Sequence, residues 1–395
     1  MGNNAHIREF SPGDQRLVAV VSIAMCTFPP TTFADRTVIH FASGATAARN
    51  VAGLPAVARS VRAAGEAGLS EVWVAAASDW QPPADVSREL ARLAPSVRVH
   101  WAGEPDLARM AQAGPFLLVS GERLADAATI RGALGGKAGP PGQVAFVAAD
   151  DPAPAARLEP ATEQEFGAAV RRVIVATAKP SDGIISRAVN RPISQGISRF
   201  LLQWPGVRPA HATMGAAAVG LAMAVALLTG TPAGLVAGAL LFQLASIVDG
   251  VDGEIARATF RSSPAGARAD SLVDALTNVW FIGGVAINLW IQDYRAAAYC
   301  GAAGLAAMMI GLLLIGRQAA RNGGQFTFNG VKDHFRARQS RLTKWLTWLT
   351  MRDFYAFAGM LFVVSGFATI GLEIFAVVAF GWLAVVLTVH ARSRA

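Results

Sequence analysis

The stretch DGVDGEIARATFRSSPAGARADSLVD, residues 249–274, places four aspartates, three glycines and three arginines between two apolar segments long enough to cross a membrane. Asp249 and Asp252 are three apart and Asp270 and Asp274 four apart, so each pair shares one face of a helix. Two helices that each carry a carboxylate pair can face one another across the mouth of a bundle. Four unpaired carboxylates there repel each other and resist desolvation, so they call for a compensating cation or stay partly protonated. Oxygen-only ligands suit Mg²⁺ or Mn²⁺ better than zinc. Gly250, Gly253 and Gly266 clear side chains from the same surface, which lets a flat base or a diphosphate approach the backbone. A loop that merely orients two spans is the bland alternative, but acidic residues set topology poorly.

Outward from that stretch the chain divides into two unlike halves. Over its 395 residues it is 53% hydrophobic and 16% charged, with a mean hydropathy of +0.39, too apolar for an ordinary soluble protein of this length. Residues 1–178 carry scattered charge and alternating patterns, residues 179–208 form a linker with an amphipathic helix, and residues 209–395 are dominated by apolar runs. Six runs have the length of membrane spans: 212–229, 233–248, 272–291, 296–315, 354–369 and 370–389. The second can continue as a helix through residues 250–257.

Lysines and arginines gather in alternate connections. Arg257, Arg261 and Arg268 follow the second run, and Arg317, Arg321, Lys332, Arg336, Arg338, Arg341, Lys344 and Arg352 follow the fourth. This asymmetry predicts an integral protein of the inner or plasma membrane, with the amino-terminal domain, the aspartates and the carboxy terminus on the cytoplasmic side. The net charge of +8 thus reads as attraction to anionic lipid, not to nucleic acid. In residues 184–204, Ile185, Val189, Ile193, Ile197 and Leu201 recur every four residues with Arg187, Arg191 and Arg199 on other faces, which predicts a helix lying in the headgroup plane. Cys26 and Cys300 have no metal-ligand spacing. LVAVVSIAMC, residues 17–26, reads as a buried strand rather than a signal peptide, because Glu9 and Asp14 precede it.

The aspartates carry a family resemblance. The pattern Asp249-x2-Asp252-Gly253-x2-Ala256-Arg257-x8-Gly266-x3-Asp270-x3-Asp274 resembles the complete signature of the CDP-alcohol phosphotransferases. The resemblance runs from about Lys179 to the end, since DGIISRAVNRPIS is similar to that family's juxtamembrane helix and WLTMRDFYAF to the entry of its fifth span. It implies an all-α domain of six transmembrane helices that moves a phosphoalcohol group from a CDP-alcohol donor to an acceptor hydroxyl, leaving CMP. It further implies two Mg²⁺ or Mn²⁺ ions held by Asp249, Asp252, Asp270 and Asp274, with Asp274 also the base toward the hydroxyl. Gly253, Ala256, Arg257 and Gly266 would line the CDP site, Thr213 would face the nucleotide, and the protein would be a homodimer. One position departs: where the family has Pro-Asn-x-x-Thr, this chain has Pro209-Ala210-His211-Ala212-Thr213.

In the first half, TVIHFA, EVWVAA, VRVHWA, FLLVSG, VAFVAA and RVIVATA read as strands separated by helical stretches, a Rossmann-like α/β layered domain. Residues 41–75 resemble the opening of sugar-phosphate nucleotidyltransferases. The fusion as a whole resembles the bifunctional inositol-1-phosphate cytidylyltransferase/di-myo-inositol phosphate phosphate synthases. Its catalytic parts are degraded: Gly44-Ala45-Thr46-Ala47-Ala48-Arg49 keeps one glycine of the phosphate loop, no lysine follows Gly53-Leu54-Pro55, and Glu122 stands where a metal-binding aspartate is expected. Arg49 and Glu122 are the residues that residual activity would use.

Two enzyme readings remain open. A soluble CDP-polyol such as CDP-inositol donates to a polyol phosphate or a lipid hydroxyl, or CDP-diacylglycerol donates to a small polar acceptor. Arg317 and Arg321, just after the fourth run, are the candidates to grip an acceptor phosphate. A divalent-cation transporter is a distant third reading, because transporters place their polar features near mid-membrane.

Overall fold

The computed structural model describes residues 36–76, 80–321 and 351–392, except the side chains of 318–321 and 389–392. Residues 17–26 and the basic positions Lys332 to Lys344 lie outside the described residues.

The amino-terminal domain runs β1 (Thr37–His40), α1 (Gly44–Ala48), β2 (Asn50–Val51), β3 (Leu54–Pro55), α2 (Ala56–Glu66), β4 (Glu71–Ala76), α3 (Ala84–Leu93), β5 (Arg98–Gly103), α4 (Glu104–Gln112), β6 (Phe116–Ser120), α5 (Ala127–Leu134), β7 (Val144–Val147) and α6 (Glu163–Val175). Five strands form one sheet in the order β5-β4-β1-β6-β7. All its pairings are parallel except β6 with β7. The central strands β1 and β6 are buried on both faces, which is why they read as unbroken apolar runs. Five of the six expected strands are therefore present. RVIVATA is not one of them: residues 172–175 close helix α6. Thr162 starts that helix by accepting the Glu165 N–H while Glu165 reaches back to the Thr162 N–H, and this capping box outweighs the β-branched run that follows.

The linker leads through a π turn at Ser186–Asn190 into α7 (Arg191–Leu201). Ser186, Asn190, Ser194 and Ser198 are buried, whereas Ile193 is 46% exposed and Phe200 57% exposed. The small polar residues are turned to protein, and beside them Ile197 and Leu201 pack against the cluster that holds Val251 and Ile255.

The carboxy-terminal part is helical: α8 (Pro209–Leu228), α9 (Pro232–Ala258), α10 (Pro264–Ile291), α11 (Arg295–Arg321), α12 (Arg352–Val364) and α13 (Ala368–Arg392). Among the described residues five helices, all but α12, are long and apolar enough to cross a membrane, the mark of an integral membrane protein. The predicted run 354–369 is broken. α12 has 13 residues, about 20 Å of helix against a hydrocarbon core of about 30 Å. It ends in a turn where Gly366 adopts φ +81°. Inside the bundle, the rings of Phe242 on α9 and Phe281 on α10 stack with centroids 3.9 Å apart. Outside it, Met214, Val225, Leu272 and Val377 present apolar side chains to the surroundings.

Candidate active site

Two helix ends bring the carboxylates together. α9 runs past its apolar stretch to Ala258, which puts Asp249 and Asp252 on its last turns. α10 begins at Pro264 after Ser263, whose Oγ accepts the Gly266 N–H at 3.0 Å. That cap starts the helix early enough to carry Asp270 and Asp274 back alongside α9. One oxygen each of Asp249, Asp270 and Asp274 lie within 4.8 Å of one another. Asp252 adjoins Asp270 and accepts a hydrogen bond from Thr213 Oγ1 at 2.9 Å.

Arg352, at the start of α12, was counted in the sequence only as a topological charge, yet it closes this cluster. Its Nη1 pairs with Asp249 at 2.9 Å and with Asp274. A single guanidinium leaves the four carboxylates with a net negative balance. Three converging carboxylate oxygens in an all-oxygen set, short of positive charge, fit Mg²⁺ or Mn²⁺. The nearest hint in the sequence was an arginine-aspartate pair, Arg352-Asp353, at the mouth of an apolar run.

The surrounding residues fix the ends of α9. Arg257 donates from Nε to Thr177 O at 2.6 Å. Its guanidinium lies against Gly253, where any side chain would begin 3.0 Å from Nη1. Glu254 is fully buried and accepts from Ser194 Oγ and Ser198 Oγ at 2.6 Å each and from Arg191 at 2.8 Å.

A cavity of about 1700 Å³ opens from this cluster. Asp249, Asp252, Gly253, Arg257, Asp270, Asp274, Arg317 and Arg352 line its polar end, and Phe281, Met308, Leu312, Phe362, Phe375 and Trp382 its apolar end. Ala256, Gly266 and Thr213 are absent from this lining: Gly266 is exposed at the start of α10, Ala256 is half-buried, and Thr213 acts on Asp252. The side chain of Arg321 lies outside the described residues. His211 has a local task, its Nδ1 accepting the Arg208 N–H at 3.3 Å.

In the amino-terminal domain, Arg49 and Glu122 both have partners within the fold. Arg49 makes a bidentate pair with Glu163 at 2.6 and 2.5 Å, its guanidinium 3.9 Å from the centroid of the Phe166 ring. Hydrogen bonding to Glu163 keeps the Arg49 guanidinium above its ordinary pKa. Glu122 is 5% exposed and accepts the N–H groups of Ala42 at 2.9 Å and Ala161 at 2.8 Å. The Trp80 ring covers Gly44 so closely that a Cβ there would lie 1.9 Å from it. The charge of Glu122 also acts on the Arg49 guanidinium, with no direct hydrogen bond between the two among the described residues.

Comparison with known proteins agrees with the carboxy-terminal geometry. Residues 207–390 match the family described as CDP-alcohol phosphatidyltransferase. The chain is similar to the protein named bifunctional IPC transferase and DIPP synthase of Thermococcus kodakarensis, 39% identical over 114 residues, 28% of this chain and 25% of that protein. It is also similar to proteins of the same name from Archaeoglobus fulgidus, 38% over 127 residues, 32% and 25% of the two chains, and Rubrobacter xylanophilus, 35% over 149 residues, 36% and 32%. The aligned part of the chain thus covers between 25% and 32% of the length of these curated relatives.

Proposed function

We propose that this chain, whose residues 207–390 form a CDP-alcohol phosphatidyltransferase domain, transfers a phosphoalcohol group from a CDP-alcohol to an acceptor hydroxyl and releases CMP. The observation that carries the reading is the meeting of Asp249, Asp270 and Asp274 in the same cavity as Arg257. Two Mg²⁺ or Mn²⁺ ions held by Asp249, Asp252, Asp270 and Asp274 would supply charge neutralisation for the diphosphate and the departing CMP. The chain's own residues do the rest. Arg257, anchored through Nε, keeps its terminal nitrogens for the phosphates of CDP, and Gly253 leaves room for them. Asp274 takes the hydroxyl proton as the acceptor oxygen bonds to the phosphorus bearing the alcohol, and the bond from that phosphorus to CMP breaks. Arg352 holds the Asp274 carboxylate in place.

The apolar end of the cavity supports a lipid as one substrate, since bulky apolar walls facing a polar reaction centre suit an acyl chain. Together with the names of the relatives, this favours a soluble CDP-polyol such as CDP-inositol as donor and a lipid hydroxyl as acceptor. In the polyol-phosphate variant, Arg317, with Arg321 one turn on, takes the acceptor phosphate. The same walls suit CDP-diacylglycerol with a small polar acceptor, the second reading. Membranes holding the protein, supplied with CDP-inositol or CDP-diacylglycerol and a lipid extract and read by mass spectrometry of the product, separate the two. No Mg²⁺- or Mn²⁺-dependent CMP release from either donor class would sink the transferase reading. The chain's cytoplasmic orientation and a homodimeric state belong to the same proposal, and accessibility labelling of residues flanking α9 and α10 tests the orientation.

Asp274→Asn is expected to lower kcat by about 10²–10³-fold while the donor KM stays within about threefold, because the lost group acts on the hydroxyl proton. An equal loss in donor affinity would remove its role as base. For the amino-terminal domain, a non-catalytic relic fits the structural duties of Arg49, Glu122 and Trp80. Purified chain incubated with CTP and inositol 1-phosphate is accordingly expected to release no pyrophosphate, and release above a protein-free control would reverse that view.

A further inference from the structure

The last carbonyls of an α-helix have no partner within the helix. At the end of α9 those carbonyls are served by arginines of the amino-terminal domain. Arg59 on α2 donates to Ala258 O at 2.5 Å while its Nε donates to Val51 O at 2.7 Å. Arg92 on α3 donates to Thr259 O at 2.9 Å and Phe260 O at 3.1 Å. Cationic donors at a helix C-terminus also interact favourably with its dipole. Burial pushes the Arg59 guanidinium down to about 10, which leaves it charged at neutral pH.

The contacts continue along the chain. Phe260 adopts φ +52°, a left-handed conformation that a bulky side chain takes only when its surroundings impose it. Here the Arg62 guanidinium sits 3.9 Å from its ring centroid and that of Arg59 5.8 Å. Arg261 pairs with Glu89, which also pairs with Arg92. Behind them Ala52 and Ile174 pack with Val251, Ile255 and Ala258, and Thr177 holds Arg257.

We propose that the amino-terminal domain is a clamp on the connection between the two carboxylate pairs, with Arg59, Arg62, Arg92 and Glu89 as positioning residues for the transfer site. The gripped residues Ala258, Thr259, Phe260 and Arg261 lie between Asp252 and Asp270. Fixing them fixes the end of α9 against the start of α10, and with it the separation of Asp249 and Asp252 from Asp270 and Asp274. A domain that has given up nucleotide chemistry thereby keeps a function. The clamp rests on the transferase reading for its catalytic consequence, but not for its geometry.

The test uses the full chain in lipid nanodiscs, with Glu89→Arg, Arg261→Glu, the double exchange and Phe260→Gly. Two quantities are read: Mn²⁺-dependent CMP release, resolved into kcat and donor KM, and amide hydrogen exchange over residues 258–263. Each charge reversal is expected to lower kcat about tenfold with donor KM within about twofold, and to speed exchange at the connection. The double exchange is expected to recover both in part, since it re-forms the pair between positions 89 and 261 but not that between Glu89 and Arg92. Phe260→Gly relaxes the backbone and removes the ring, so it is expected to lower kcat about fivefold without unfolding the chain. Wild-type kcat and exchange in the single reversals, or a double exchange no better than the worse single, overturns the clamp. If the wild-type chain releases no CMP from any donor, the transferase reading falls by itself, and exchange alone then decides the clamp.

Discussion

Asp270→Asn and Asp249→Ala are each expected to abolish CMP release, with kcat down by about 10³-fold or more, while both proteins still insert and purify like wild type. A thousandfold loss is about 4 kcal/mol of transition-state stabilisation, at about 1.4 kcal/mol per tenfold. That magnitude follows from the cluster. One oxygen from each of Asp249, Asp270 and Asp274 converges within 4.8 Å; alanine removes a ligand and its charge, and asparagine removes the charge and leaves one neutral, weaker oxygen. Folding responds in the opposite sense. Four clustered carboxylates repel one another without a cation, so Asp270→Asn relieves repulsion and is expected to unfold in metal-free buffer no earlier than wild type. Loss of activity without loss of heat resistance separates a ligand from a structural residue. Retention of more than about a tenth of wild-type kcat by Asp270→Asn would sink the metal assignment.

The carboxylates were legible because their relation is local. Helical spacing puts Asp249 with Asp252 and Asp270 with Asp274, and the short connection forces the two helices side by side. Arg352 was not legible as a site residue, since it meets Asp274 across 78 positions of chain and nothing near it in sequence distinguishes it from a topological charge. That Thr213 would hydrogen-bond Asp252 from a neighbouring helix was not legible either.

The misread strand and the broken span have physical causes of the same kind. RVIVATA has the composition of a strand, and only the capping box at Thr162 and Glu165, ten positions earlier at Thr162, decides for a helix. Residues 354–369 have the hydropathy of a span, and a single turn at Gly366 divides them. In residues 184–204 the periodicity gives a helix, but not which of its residues pack inward. Which face meets protein was decided by a residue outside the pattern, Glu254, whose carboxylate needs the serine face.

Glu254→Ala is expected to be the most destabilising single substitution near the site, costing about 3–5 kcal/mol. Glu254 is 0% exposed, and its two oxygens take three donors: Ser194 and Arg191 on one and Ser198 on the other. Removing it leaves the buried Arg191 guanidinium with Asp182 alone, strands two hydroxyls and unties α7 from α9. Glu254→Gln keeps the shape and one acceptor oxygen, so a smaller loss of about 1–3 kcal/mol is expected. Heat inactivation of the detergent-solubilised chain measures both, and near-wild-type lifetimes for Glu254→Ala would show that α7 is held by its other contacts. Acid probes the same network from its far side. Burial raises the Asp182 carboxyl, but the hydrogen bonds and charge of Arg191, paired with it at 2.8 Å, outweigh burial and hold it below the ordinary value. A carboxylate depressed in the folded state stabilises fully above its unfolded pKa of about 3.9 and loses that contribution as pH falls through the folded value. The lifetime of wild type is therefore expected to be flat in this respect down to about pH 4 and to shorten below it. Asp182→Asn is expected to be shorter-lived at neutral pH and to lack that part of the acid slope, and an unchanged slope would assign the acid sensitivity to other carboxylates.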